Sequence, residues 1–476
     1  GRISFHHNLL NMFPVSKYRE SNPEFYPMLG GKRYIPTNDA DFNWQPNLSA
    51  PNIIKSAVQT IQNYFDENPN SSSYSLGMND SSNWDQSDAS KARRSNTKNY
   101  LNLENISDDY FAWANEVVKQ VLEKHPNKWF GTLAYSENAE PPTKVSVNAQ
   151  IVPFITYDRM RWSDPKLREV GHQLHKKWQK ACPTLGYYDY AYGISYLLPR
   201  VYFHTMQNYL SWGAEHNVKH YYAELYPNWG EGPKPWLLTK LLWNPNQDVN
   251  ALLDDWYVHF AGSTAAPKLK EFYAIWEKFW TVDILKSRWN TDQGQYLFFN
   301  HPPNYLNDVT DNQLMHADKL MNQALQLANN PQRKARVAKL HQMWSFYKAS
   351  VIAYQAHYAI TQNKESSFFT QNSTTNEAIQ KTITAINHRQ QLLKSLQNQR
   401  LEMFKKIKFI LLSKLQTFAE RKLALIHPEK DISIFTPYVS GRHLVKHLTI
   451  QCANQIIPRI DEIYCKLNNH SEVKLY

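Results

Sequence analysis

From residue 3 to about residue 235, short apolar and aromatic runs alternate with amphipathic stretches of helical period. Strands are expected at Ile3–Leu10, Ser71–Met78, Trp129–Tyr135, Val145–Tyr157, Leu185–Ile194 and Val218–Tyr222. Between them, Asn52–Phe65 repeats Ile53, Ile54, Ala57, Ile61 and Phe65 on one face, as a helix lying on a core does. Ser107 is placed to cap a second helix, with Asp108 and Asp109 in its first turn and Phe111, Ala114, Val118 and Val121 along one stripe. Pro165 opens a third, to about Ala181, and His204–His216 forms a fourth. Strands alternating with helices predict βα units and a parallel sheet. The count is about six strands, whereas a closed (β/α) barrel has eight. Either two strands lie upstream of residue 1 or the sheet is open.

After Pro235 the pattern turns helical. Residues 236–290 carry Trp243, Trp256, Trp276 and Trp280, and residues 310–365 place Leu320, Ala324, Leu327, Val337, Leu340 and Trp344 at apolar positions. Lys364–Thr375 reads as a linker, followed by Gln/Lys-rich helices to about Ile426 and a basic end. The expected organisation is therefore 1–235 as a partial (β/α) barrel, 236–365 as a helical extension packed on it, and 366–476 as a basic helical tail. The net charge of +11 follows this division: residues 371–476 hold 16 Lys+Arg and 8 Asp+Glu, a net of +8, leaving about +3 for the rest. A nearly neutral body is not expected to bind nucleic acid. No apolar run approaches the ~20 residues that span a bilayer. The three cysteines, Cys182, Cys452 and Cys465, show no CxxC and no metal-ligand spacing. The chain opens Gly1-Arg2-Ile3-Ser4-Phe5 without a signal-type region, so its true start, with any signal peptide, is expected upstream.

Chemistry sits at the C-terminal ends of parallel strands. Four expected strand ends carry acids: Asp80, Glu137, Asp158 and Glu224. Glu224 ends the aromatic run Val218–Ala223, and Leu225-Tyr226-Pro227-Asn228-Trp229-Gly230 follows at once. Carboxylates converging on one mouth raise one another's proton affinity and supply an acid-and-base pair. Blander readings compete at each position. Asp80 lies in a turn-forming Asn-Asp-Ser run, Glu137 fits a solvated loop, and Asp158 has Arg159 and Arg161 beside it. Asp189 stands among Tyr187, Tyr188, Tyr190 and Tyr192, where a bond to a phenol is as good an account as a ligand contact. Trp229 fits a core as well as a sugar platform. His6 and His7 point to opposite sides of a strand and make a poor chelate. His172 and His175 lie on a helix without a matching partner and read as surface residues. There is no HExxH, GxSxG, GxGxxG or Walker loop, so no metal or cofactor is expected.

Several segments together resemble a known family. Pro23-Glu24-Phe25-Tyr26-Pro27 with Gly31-Lys32-Arg33, Ser75-Leu76-Gly77-Met78-Asn79-Asp80, and Leu133-Ala134-Tyr135-Ser136 with Pro141-Pro142 resemble elements of domain of unknown function 4838. The stretch around Glu224, then Gly232-Pro233-Lys234, Leu241-Leu242-Trp243-Asn244-Pro245 and Asp254-Asp255-Trp256-Tyr257, continues the pattern over roughly residues 5–360. That family overlaps glycoside hydrolase family 163, whose characterised members are endo-β-N-acetylglucosaminidases acting on N-glycans. The resemblance implies a TIM-like barrel, here lacking its first strands, and a helical C-terminal region. It implies a retaining, substrate-assisted cleavage of an N-acetylhexosamine-containing glycan, in which the 2-acetamido oxygen attacks the anomeric carbon. Glu224 or Glu137 would be the general acid and Asp80 would orient or bind the substrate. Tyr135, Tyr190, Tyr192, Tyr226 and Trp229 would form sugar platforms, and Asn79, Asn228 and Asp158 would bind the substrate. A glycan or glycoprotein is the implied partner and the periplasm or the cell exterior the implied location. A degenerate, glycan-binding member of the same fold is the alternative.

Overall fold

The computed structural model describes residues 3–193, 196–226, 229–291, 303–362, 384–392 and 394–395. The expected linker, Lys364–Thr375, lies outside the described residues, as does nearly all of the expected tail. The chain divides into two compact units. The first comprises residues 1–193, 198–297 and 308–341; the second comprises 194–197, 298–307 and 342–476.

The first unit begins with an extended segment and a small hairpin. The hairpin strands β1 (Met28–Leu29) and β2 (Lys32–Arg33) are antiparallel and joined by Gly30 and Gly31, both at positive φ. Five strands then form one parallel sheet: β3 (Ser73–Ser75), β4 (Trp129–Ala134), β5 (Ile151–Tyr157), β6 (Leu185–Asp189) and β7 (Val218–Ala223). Their spatial order is their sequence order, β3-β4-β5-β6-β7. Every residue of β5 is buried, as in a strand covered on both faces. Phe154, Tyr188 and Tyr222 share one face with Phe5 and His6, because successive side chains alternate across a strand. Tyr187 and Tyr221 take the opposite face, where Tyr187 meets Trp162 and His175 and Tyr221 meets Tyr209.

Helices connect consecutive strands. Pro165–Ala181 joins β5 to β6 and is capped by Asp164, whose Oδ1 accepts from the Lys166 N–H at 2.8 Å. Phe203–Glu215 joins β6 to β7. Ser107–Lys124 lies between β3 and β4, but Ser107 does not cap it. The Ser107 hydroxyl donates to the Glu140 carbonyl at 2.5 Å. Asp108 instead accepts from the Thr143 and Lys144 N–H groups at 2.8 and 2.5 Å, tying a later loop to the helix start.

Other expectations change in detail, among them the start of β5, at Ile151 rather than Val145, and the extent of β3, Ser73–Ser75 rather than Ser71–Met78. The run Ile3–Leu10 is not a strand throughout. It lies along β3 with a single bridge, His7 to Gly77, and Leu9–Met12 is already helical. β6 ends at Asp189, not Ile194. His175 is buried rather than on the surface. Its Nε2 donates to the His216 carbonyl at 2.7 Å, and its Nδ1 faces the Tyr187 hydroxyl at 3.2 Å.

Beyond β7 the first unit is helical, with Lys234–Trp243, Val249–Ala261, Ala266–Thr281 and Asp311–Leu327. Thr310 and Gln313 form a reciprocal capping box at the start of the last of these. Trp276 and Trp280 are core residues, whereas Trp243 is 91% exposed. Within the second unit, the Gln355 amide donates to the Leu306 carbonyl at 2.9 Å. Arg389 donates to the Ser350 hydroxyl at 2.9 Å.

Candidate active site

Three of the parallel strands carry site residues past their C-terminal ends, at one edge of the sheet. Past β3 the chain reaches Asp80, past β4 Tyr135 and Glu137, and past β7 Glu224. Tyr135 lies within electrostatic reach of all three acids. Its hydroxyl hydrogen-bonds Asp80, and the charges of Asp80, Glu137 and Glu224 all act on it. Its pKa is raised, first by burial and then by those three carboxylates. A half-buried phenol under the influence of three negative charges holds its proton and serves as a donor.

Glu224 is held by tyrosines. Tyr188 donates to its Oε1, Tyr192 donates to its Oε2 at 2.8 Å, and Tyr226 also bonds it. The register of β6 and β7 explains the first contact: Tyr188 lies opposite Tyr222, so its phenol stands beside the next inward-facing position, Glu224. Backbone pairing continues past the strands, since the Glu224 N–H donates to the Asp189 carbonyl at 2.9 Å. Burial raises the pKa of Tyr188 and Tyr192, and the adjoining Glu224 raises it further. The Tyr226 phenol is pushed up to about 12 by the same two causes. All three therefore donate, and Glu224 is presented as an acceptor at both oxygens.

Glu137 sits in a short 3-10 turn, Ser136–Asn138, behind Ser136 at positive φ. It is buried, and its Oε2 accepts from the Trp84 indole N–H at 3.3 Å. Asp80 is exposed. Its neighbour Asn79 is buried and spends its amide on the backbone: Oδ1 accepts from the Leu10 N–H at 2.7 Å, and Nδ2 donates to the Trp44 carbonyl at 2.8 Å. Those bonds fix the turn that presents Asp80.

Asp158 does not join the cluster around Tyr135. It is fully buried, and Arg200 Nη2 donates to its two oxygens at 2.8 and 2.6 Å. The expected partners, Arg159 and Arg161, bond elsewhere; Arg159 donates to the carbonyls of Ile155 and Tyr188 at 2.9 and 3.0 Å. Burial raises the Asp158 carboxyl to about 6 against the opposing pull of Arg200. Asp189 also lies inside. It accepts from the Arg159 and Tyr190 N–H groups at 3.1 and 2.9 Å and from the Tyr221 hydroxyl at 2.8 Å.

Tyr190, Tyr192 and Tyr226 form one stack, with centroids 5.6 and 5.5 Å apart and the second pair nearly parallel at 7°. Tyr226 is 52% exposed and takes a positive φ of 34°. Trp229 is 38% exposed, and the Lys339 ammonium lies 4.9 Å from its ring. Asn228 lies outside the described residues. Three further residues belong to this edge. Tyr188 and Trp84 supply donors to Glu224 and Glu137, and His7 places its ring 6.5 Å from Tyr135 while its Nδ1 donates to the Met78 carbonyl at 2.5 Å. The alternation of β6 against β7 is a sequence signal for Tyr188. For Trp84 and His7 the sequence carries none, because their partners are 53 and 71 residues away. Among the described residues, no group of three or more His, Cys, Asp or Glu is arranged to hold a metal ion.

Comparison with known proteins adds a family. The model described as "Domain of unknown function (DUF4838)" matches residues 2–274. No curated protein matches the chain. Among solved structures, one similar chain is a family GH115 4-O-methyl-α-glucuronidase with specificity for decorated arabinogalactans. It has a TM-score of 0.44 and 13% identity over 83% of this chain and 50% of that one. Another is a GH138 enzyme targeting pectin rhamnogalacturonan II, with a TM-score of 0.35 and 10% identity over 73% of this chain and 55% of that one. The chain thus spans about half the length of these two structures.

Proposed function

The chain belongs to the family described as domain of unknown function DUF4838, and from that premise we propose that it is a glycoside hydrolase acting on an N-acetylhexosamine-containing glycan. The observation that carries the reading is the placing of Asp80, Glu137 and Glu224 past the C-terminal ends of β3, β4 and β7, with the charge of all three acting on one phenol, Tyr135. Carboxylates grouped this way at the C-terminal edge of a parallel sheet suit acid-base cleavage of a glycosidic bond. The unbroken strand order β3 to β7 supports a barrel-type sheet over a doubly wound one, which reverses order at a switch point.

Glu224 accepts hydrogen bonds at both oxygens, so its part is that of a fixed negative charge beside the developing oxocarbenium ion. Glu137 is the proton donor. As the bond between the anomeric carbon and the leaving oxygen breaks, the 2-acetamido oxygen bonds to that carbon and Glu137 protonates the departing oxygen. Asp80, held by Tyr135, accepts the acetamido N–H. Water then opens the oxazolinium ring, Glu137 takes back a proton, and configuration at the anomeric carbon is retained. The stack of Tyr190, Tyr192 and Tyr226, with Trp229, offers faces for neighbouring sugars.

The test is hydrolysis of a labelled N-glycan by the wild type, Glu137→Gln and Glu224→Gln. Loss of the acid is expected to cost about 10²- to 10⁴-fold in kcat. An aryl glycoside, whose leaving group needs little protonation, should largely rescue Glu137→Gln and not Glu224→Gln. Unchanged hydrolysis by either variant overturns the role given to that residue. A wild type that binds the glycan and releases nothing makes the protein a glycan-binding relative instead.

A further inference from the structure

Four buried charges stand behind the loop that follows β6. Asp158, Arg200, Glu231 and Lys234 are each 0% exposed. Arg200 grips both oxygens of Asp158 at 2.8 and 2.6 Å, and Lys234 is ion-paired with Glu231. Both cations also donate to one stretch of backbone. Arg200 Nη1 donates to the Tyr190 carbonyl at 2.7 Å, and Lys234 Nζ donates to the Ala191 and Tyr192 carbonyls at 3.1 Å each. Three consecutive carbonyls thus end on cations rather than on a neighbouring strand, which is why β6 stops at Asp189.

Stability alone does not account for such a row. Removing four charges from water costs several kcal/mol for each ion, and apolar residues of similar volume often do as well or better. What the row does accomplish is to immobilise residues 190–192, and Tyr192 is the residue whose phenol reaches Glu224 Oε2 at 2.8 Å. We propose that the Asp158–Arg200 and Glu231–Lys234 pairs are positioning elements for Glu224, acting through the Tyr190–Tyr192 backbone and the Tyr192 phenol. The proposal rests on Glu224 being the working carboxylate. It gives Asp158 a supporting part in place of a substrate contact, and it gives a part to Arg200, Glu231 and Lys234.

The test joins Lys234→Met with Glu231→Leu, so that no lone buried charge remains, and sets this pair beside Tyr192→Phe, Arg200→Lys and Glu224→Gln on the labelled N-glycan. The double variant is expected to lower kcat about ten- to a hundredfold with KM nearly unchanged, the size of a misplacement near 1 Å. Adding Tyr192→Phe to it should cost little more, because both changes act on the same link. Arg200→Lys keeps the charge but loses the fork that holds Asp158 through Nη2 and the Tyr190 carbonyl through Nη1, and it should show a smaller loss of the same kind. Wild-type kcat and pH profile in a folded double variant overturn the positioning role while Glu224→Gln remains inactive. If the double variant does not fold, Arg200→Lys and Tyr192→Phe decide by the same kcat-against-KM split. Full activity in Glu224→Gln, or no hydrolysis by the wild type, overturns this proposal together with the reading beneath it.

Discussion

At Gly77 there is no room for a methyl group. A Cβ there would lie 2.3 Å from the Phe5 carbonyl oxygen and 2.4 Å from that of His6. Both atoms are backbone, so the obstacle does not rotate away. Gly77→Ala is expected to cost about 1–3 kcal/mol and to lower Tm by several degrees in a thermal melt. An unchanged Tm would show that segment 3–7 shifts freely along β3. The same residue carries function indirectly, since it lies three positions before Asp80 and accepts the Asn8 N–H at 2.8 Å. At this scale the acids themselves were legible. Asp80, Glu137 and Glu224 stand out as carboxylates ending apolar runs. Asp158 carries the same local signature yet turns inward, because its partner Arg200 lies 42 residues along the chain.

Between elements, the joint of β6 with the helix Pro165–Ala181 is pH-sensitive. His175 on that helix fits as a neutral ring, with one nitrogen donating to the His216 carbonyl and the other facing the Tyr187 hydroxyl on β6. Burial lowers its pKa from 6.5 to about 4. The unfolded chain therefore binds the proton more readily than the folded one between those two values. Stability from this site is fully present above pH 6.5 and is lost as pH falls toward about 4. Tm is expected to drop between pH 7 and pH 5, and to drop less in His175→Gln, which cannot take up the proton. Equal pH slopes for the two proteins would remove His175 as the cause. The element pattern itself was readable because periodicity is local: the helices at Ile53–Glu67 and Ser107–Lys124 fall close to where their apolar stripes place them. Strand ends were less readable. β6 stops five residues short of expectation because the side chains of Arg200 and Lys234, not a neighbouring strand, take the carbonyls of residues 190–192.

For the whole molecule, the net charge of +11 masks an acidic site. On the proposed function, an N-acetylhexosamine glycan binds the folded chain and not the unfolded one, and so raises stability. At a hundredfold excess over Kd the gain is about 2.7 kcal/mol, visible as a rise in Tm. A Tm unmoved by saturating glycan would count against hydrolysis and glycan binding together. Among the described residues, no helix is long and apolar enough to cross a membrane.

The sequence by itself determined a parallel βα architecture and the placing of Asp80, Glu137 and Glu224 at or just beyond strand ends, since both follow from the order of residue types along a few turns or strands. Only the tertiary structure decided which acids meet. Asp80, Glu137 and Glu224 all act on Tyr135, tyrosines from β6 and its loop orient Glu224, and Arg200 withdraws Asp158 into the interior. The reason is physical. A carboxylate's role is set by which donors surround it, and those donors arrive from segments tens of residues away, brought close by strand register and packing rather than by any local pattern.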